Sequence, residues 1–326
     1  MDQRKLLRRC GAAILLAAAM QFFIIGTSGL LQSPGWIALL IYAQTGRVVG
    51  SETEPPAETL PPNFIPPTEI TQPSEKLPEA VVSFSQQDLE LIRVRYSCDY
   101  RPNLQELLRA PLHWDLSSAE PTVLIIHTHA TECYSDGDHG LSAFRTKNAK
   151  QNMLAVGAEV ARVLTAGGIR VIHDTTLHDY PNYNGSYDAA RATAQKYLQQ
   201  YPSIRLVLDL HRDAIGDNSN QLITAGSAGG QRCSQLMLVM GTDAAGFTHP
   251  NWQENLSVGL KLAALLEQEN PGITRSVTLS PYRYNMDLCP GSLLVEVGGA
   301  GDRLQEALIA ANALAQAILT LAHGSS

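Results

Sequence analysis

The chain lacks the features that announce several common functions. Its five cysteines, Cys10, Cys98, Cys133, Cys233 and Cys289, are far apart, and none forms a C-x-x-C pair. A disulfide scaffold needs denser, even-numbered cysteine. Cys133 reads as a small buried filler. Aromatic residues make up 6% and the net charge is -7, so there is neither a base-stacking surface nor the basic footprint of nucleic-acid binding. There is no G-x-S-x-G, no phosphate-binding glycine loop and no H-E-x-x-H helix. Serine hydrolase, nucleotide-binding and zincin readings therefore lack support.

The 326 residues are enough for one large domain or two small ones, and the 44% apolar content suits a globular body with an added membrane segment. Arg4, Lys5, Arg8 and Arg9 precede an uncharged stretch from Cys10 to Gly46, of which Gly11 to Leu31 is rich in Ala, Leu, Ile and Phe. About 20 apolar residues cross a bilayer. The basic flank predicts a single-pass anchor with a cytoplasmic N-terminus and the rest of the chain outside. A cleaved signal peptide is the alternative, but the apolar character runs past a normal signal core. Trp36 to Ala43 extends the span past Ser33-Pro34-Gly35 or lies in the interface. Residues 1–46 are thus read as cytoplasmic tip and transmembrane anchor. Residues 47–82 are rich in proline and glutamate and read as an extended spacer. Residues 83–119 form a transitional segment with no assigned role, and 120–326 form the catalytic domain.

From Pro121 onward short apolar runs alternate with helix-period segments. Helices are predicted over Asn148–Ala166, Ser186–Gln200, a capping box at Asn251 and Glu254 through Glu269, and Arg303–Ala322. Strands are predicted over Val123–Ile126, Ile169–Ile172, Ile204–Leu210, Leu236–Met240 and Leu293–Val297. This alternation predicts an α/β fold, a mostly parallel central sheet with helices on both faces.

Three of the apolar runs end in reactive side chains. Val123-Leu124-Ile125-Ile126 leads into His127-Thr128-His129-Ala130-Thr131-Glu132; Leu206-Val207-Leu208-Asp209-Leu210 leads into His211-Arg212; Leu293-Leu294-Val295 leads into Glu296-Val297-Gly298-Gly299. The carboxyl ends of parallel strands share one crevice, and His and Glu are ordinary ligands of catalytic zinc. Asp209 is placed to orient the His211 ring. His127 and His129 both ligate, or one ligates and the other hydrogen-bonds substrate. Glu296, desolvated beside a reactive water, has the character of a general base; the bland alternative is a core glutamate salt-bridged to Arg212 or Arg283. His173, His178 and His249 are expected at most to border the cleft.

At these residues the chain resembles the stage II sporulation protein P family of membrane-anchored peptidoglycan hydrolases. The matching stretches are VLIIHTHATECY (123–134), VIHDTTLHDYPNYNGSYDAA (171–190), YPSIRLVLDLHRDA (201–214), GTDAAGFTHPNWQENL (241–256) and SLLVEVGGAGD (292–302). The resemblance implies a zinc-dependent N-acetylmuramoyl-L-alanine amidase that takes peptidoglycan. It implies Zn2+ on His127, Glu132 and His211, with Glu296 catalytic and with His129, Arg212 and Asp209 as further metal or substrate contacts. His127 is preferred to His129 as the first ligand because it stands nearest the strand end. The middle glutamate departs from the broader cell-wall amidases, where it opens the first helix; here that region reads Arg145-Thr146-Lys147-Asn148, leaving Glu132 as the nearest candidate. The family also implies cleavage of peptide cross-links, partnership with stage II sporulation proteins D and M, and a place at the sporulation septum. The competing readings are a non-catalytic, membrane-anchored peptidoglycan-binding module and a zinc carboxypeptidase.

Overall fold

The computed structural model describes residues 82–112, 115–142, 144–217 and 219–323. The expected anchor and nearly all of the expected linker lie outside these residues. In chain order the first elements are α1 (Gln86–Glu90), β1 (Val94–Tyr96), α2 (Leu104–Arg109), β2 (Val123–Ile126), α3 (Met153–Ala166) and β3 (Val171–His173). Next come α4 (Ser186–Gln200), β4 (Leu206–Asp213), and two short hairpins, β5 (Gly216–Asp217) with β6 (Asn220–Gln221) and β7 (Gly226–Ala228) with β8 (Gln231–Cys233). The chain closes with β9 (Leu236–Gly241), α5 (Trp252–Glu269), β10 (Thr274–Ser280), β11 (Ser292–Gly299) and α6 (Leu304–His323).

The central sheet has seven strands in the order β1-β10-β9-β11-β4-β2-β3. Every neighbouring pair is parallel except β11 with β9. The sheet is therefore two parallel halves joined at one antiparallel seam. The carboxyl ends of β2, β3, β4 and β11 meet at one edge, and the amino ends of β9 and β10 arrive at that same edge.

Alternation along the strands sorts their side chains onto two faces. Val123, Ile125, Leu206, Leu208 and Leu210 join the main core with α3, α5 and α6. Leu124, Ile126, Ile172 and Val207 form a smaller core with Ala194 of α4. The mostly parallel sheet with helices on both faces is as the sequence predicts.

Several boundaries differ for local reasons. The first long helix starts at Met153, not Asn148, because Asn152 is extended (φ -114, ψ -169) and its side chain caps the Leu154 amide. At Asn251 the helix starts where predicted, but no side-chain cap bond forms; the amide instead reaches the Asp287 carbonyl at 3.5 Å. The segment 83–119 is part of the domain. It supplies the edge strand β1, paired with β10, and α2, whose Leu107 carbonyl accepts from Ser257 Oγ at 2.7 Å and Lys261 Nζ at 3.0 Å. Among the described residues one helix, Leu304–His323, is long and apolar enough to cross a membrane, yet half of it is buried inside the protein. Ala310, Leu314 and Ile318 of that helix belong to the main core.

Candidate active site

β4 is buried along nearly all its length. Asp209, His211 and Asp213, two residues apart on it, project to one face. In the parallel register Glu296 of β11 stands opposite His211, so the carboxylate and the imidazole are neighbours on adjacent strands. β2 delivers the His127–Glu132 segment to the same edge from the other side of β4.

His211 has two acidic neighbours. Its Nε2 lies 3.0 Å from Asp209 Oδ1, and its Nδ1 lies 3.7 Å from Glu132 Oε2. The Asp209 contact is off line for a hydrogen bond, and Nε2 counts among the buried atoms without one. Burial lowers the basicity of the ring, but the charges of Asp209, Glu132 and Glu296 outweigh it and raise the pKa to about 10. Asp209 is itself fixed by the Thr128 amide at 2.8 Å and the Thr128 hydroxyl at 2.6 Å. Burial works against its charge, yet His211 and Thr128 hold its pKa at about 2.

His129 meets His211 edge to face, with ring centroids 5.3 Å apart. Its other faces are covered by Tyr183, stacked at 4.6 Å, and Tyr187, perpendicular at 5.6 Å. Its Nδ1 is buried without a hydrogen-bond partner, and burial chiefly lowers its pKa.

The expected first ligand, His127, is engaged elsewhere at both ring nitrogens. Nδ1 lies 3.1 Å from the Leu210 carbonyl and Nε2 lies 2.9 Å from His173 Nε2. A carbonyl only accepts, so Nδ1 carries the proton and Nε2 accepts from His173. Burial, then the adjacent His173, lowers the His127 pKa to about 3; burial lowers that of His173 to about 4. The two rings sit under α3 where it carries Gly157, and a Cβ there would collide with Nε2 of both.

Glu132 is buried and accepts the Arg212 amide at 3.2 Å. Arg212 spends its guanidinium on the Cys133 carbonyl at 3.1 Å and the Phe144 carbonyl at 2.9 Å, so it braces the Glu132 loop. Arg283 pairs with Asp287 at 3.6 Å. Neither arginine is the salt-bridge partner considered for Glu296, whose Oε2 is buried with no hydrogen-bond partner. Burial raises its pKa to about 8, against the pull of His211 and with the push of Glu132 and Asp213.

The structure thus gathers His129, Glu132, Asp209, His211 and Glu296, and sets His127 apart with His173. Among the described residues no group of three or more His, Cys, Asp or Glu stands ready to hold a metal. The donor chemistry nonetheless fits a borderline-soft cation: two imidazoles and a carboxylate, with buried atoms on His129 and Glu296 left unpaired. His178 is also structural, bonded to the His127 carbonyl at 2.9 Å and Thr193 Oγ1 at 2.9 Å. Cys133 is a free, fully buried thiol. Tyr183 and Tyr187 are not singled out from the sequence: Tyr183 sits in the short 3-10 turn Tyr183–Gly185 just before α4 and Tyr187 in the first turn of α4, and only the fold brings both to His129.

The sequence profile described as stage II sporulation protein P matches residues 63–319. The chain belongs to that family. It is 25% identical over 285 residues to stage II sporulation protein P of Bacillus subtilis (strain 168), covering 76% of this chain and 69% of the relative. Among solved structures, the N-acetylmuramoyl-L-alanine amidase AmiC2 of Nostoc punctiforme is similar at 16% identity with a TM-score of 0.35, over 63% of this chain and 96% of that one. Ami1 of Mycobacterium smegmatis, another N-acetylmuramyl-L-alanine amidase, gives 12% identity and a TM-score of 0.39, over 64% and 99%. The CwlD amidase of Clostridioides difficile, solved with the GerS lipoprotein, gives 14% and 0.35, over 61% and 94%.

Proposed function

We propose that this member of the stage II sporulation protein P family is a zinc-dependent peptidoglycan hydrolase that cleaves the amide between the muramic acid lactyl group and L-alanine. The observation that carries the reading is Glu296: a carboxylate registered opposite His211, with one oxygen buried and unpaired and a pKa raised to about 8. A buried carboxylate left unpaired is costly, and a substrate or water proton is the partner it lacks.

His129, Glu132 and His211 are the residues assigned to hold Zn2+, with His129 in place of His127 because both nitrogens of His127 are taken. The backbone of Glu132 pairs with that of Arg145, which sets this carboxylate beside the segment that lacks a glutamate of its own. Zn2+, when bound, supplies Lewis acidity to the scissile carbonyl and acidifies water. Glu296 takes the proton from the attacking water and gives it to the departing L-alanine nitrogen. Asp209 holds the His211 ring, and Thr128 holds Asp209. Tyr183 and Tyr187 wall the His129 side and limit the rotation of that ring. The domain works outside the membrane from an N-terminal anchor, at the sporulation septum, with stage II sporulation proteins D and M as partners.

The test is Glu296→Gln, which is isosteric and cannot act as base. Release of stem peptides from purified sacculi, read by mass spectrometry, falls at least about 100-fold while the circular dichroism spectrum is unchanged. Release at the wild-type rate would remove Glu296 from the mechanism.

A further inference from the structure

We propose that Arg275 is a substrate-binding residue that receives a free carboxylate on the peptide portion of the substrate, and that Asp213 positions it. The proposal rests on the hydrolase reading above and adds a specificity residue to it.

Arg275 lies at a bulge in β10. Thr274 pairs with Leu236 and Ser276 with Met237, so Arg275 has no register partner of its own on β9. A bulge re-aims the side chain it carries. Arg275 reaches past β9 and β11 to the end of β4, where its Nη2 donates to Asp213 Oδ2 at 2.7 Å. Asp213 stands two residues beyond His211 on the same strand face. Its charge is felt at Glu296. The guanidinium is thus delivered from the other half of the sheet to the rim of the cleft.

Asp213 uses only part of the guanidinium. The Nε of Arg275 is the one arginine nitrogen among the described residues that is buried without a hydrogen-bond partner. Arg275 and Asp213 keep 18% and 14% of their side-chain surface exposed, enough for a ligand to reach an otherwise covered pair. Two other arginines near the reactive residues are spent. Arg212 is bound to two carbonyls, and Arg145 to Asp179 at 2.9 Å. The exposed part of the guanidinium, held in place by Asp213, matches a planar carboxylate, and the unpaired Nε shows that the fork is not saturated from within.

The chemistry also says which part of the substrate this is. The scissile amide uses up the carboxyl of the lactyl group, so the free carboxylates sit on the peptide. Arg275 therefore marks the side of the cleft, toward β10, on which the peptide lies.

The experiment compares two muropeptides with the same sugar and sequence. One keeps its peptide carboxylates free; the other has them converted to carboxamides. The full chain is purified in detergent and assayed as wild type, Arg275→Gln and Arg275→Lys. Wild type is expected to favour the free acid by at least about 10-fold in kcat/KM. R275Q loses that preference by falling on the acid while keeping its rate on the amide, and R275K, which keeps the charge without the fork, lies between. Equal rates of wild type on both substrates, or an equal fall of R275Q on both, overturns the assignment. Binding of the released free-acid peptide is measured by calorimetry in parallel. If wild type cleaves neither muropeptide, the hydrolase reading fails on its own, and the calorimetry still decides: weaker binding to R275Q upholds the carboxylate contact, and equal binding removes it. Should R275Q not fold, the R275K comparison carries the same two outcomes.

Discussion

At the scale of single residues, two histidines two positions apart have opposite surroundings. His129 has an unpaired Nδ1 and packs against the His211 ring, whereas His127 is a buried, neutral link between Leu210 and His173. Replacing each separately distinguishes them. His129→Ala is expected to abolish bound zinc, read by atomic absorption after dialysis, with a change in melting temperature of only a few degrees. His127→Ala leaves His173 unpaired in the core and is expected to cost about 2–4 kcal/mol of stability, seen in urea unfolding. Metal uptake also has a sign in pH. His211 is protonated at neutral pH when metal is absent, since its pKa is raised to about 10. Zinc must displace that proton, so affinity is expected to fall as pH is lowered, with proton release visible by calorimetry in buffers of different ionisation enthalpy.

At the scale of elements, α3 is fitted to the His127–His173 pair by a missing side chain. Gly157 admits the rings of His127 and His173, and neither can retreat, because one is held by Leu210 and the other is at the end of β3. Gly157→Ala is expected to lower stability by roughly 1–3 kcal/mol despite the better helix propensity of alanine, measured as a lower melting temperature. The elements also show what could be read beforehand. The apolar runs of β2, β4 and β11 were legible because buried parallel strands are nearly all Val, Ile and Leu, and the reactive residues follow directly on those runs. That both ring nitrogens of His127 are taken is not legible, because the partners are the Leu210 carbonyl and His173, which come from two other strands. β1 and β10 were missed for different reasons. β1 is a three-residue edge strand, and β10 carries Thr274, Arg275, Ser276 and Thr278, polar residues that break the apolar run. Arg275 was invisible for the same reason: only the bulge and the reach to Asp213 give it a role.

At the scale of the whole molecule, acid weakens the fold through buried histidines. In the folded state the pKa of His127 is about 3 and that of His173 about 4, both below the ordinary value of 6.5. The unfolded chain takes up these protons first as pH falls. Their contribution is complete above about pH 6.5, declines through the window down to about pH 3, and is constant below it. By about pH 5 the loss is roughly 2 kcal/mol per ring. Glu296, its pKa raised from 4.5 to about 8, works the other way between those two pH values. The histidine part is therefore read as the difference in urea stability between wild type and His173→Gln at neutral and acidic pH, the variant being expected to lose less on acidification.

The reversal of strand direction between β9 and β11 divides the working rim into two kinds of border. On one side chains leave the sheet carrying the reactive groups; on the other they enter it, carrying Arg275 and the turn after β8. Insertions or exchanges in those entering segments can retune which peptides are accepted while the proton-transfer machinery stays untouched. The two borders are thereby separable by substitution, one half of the sheet being open to change while the other is held.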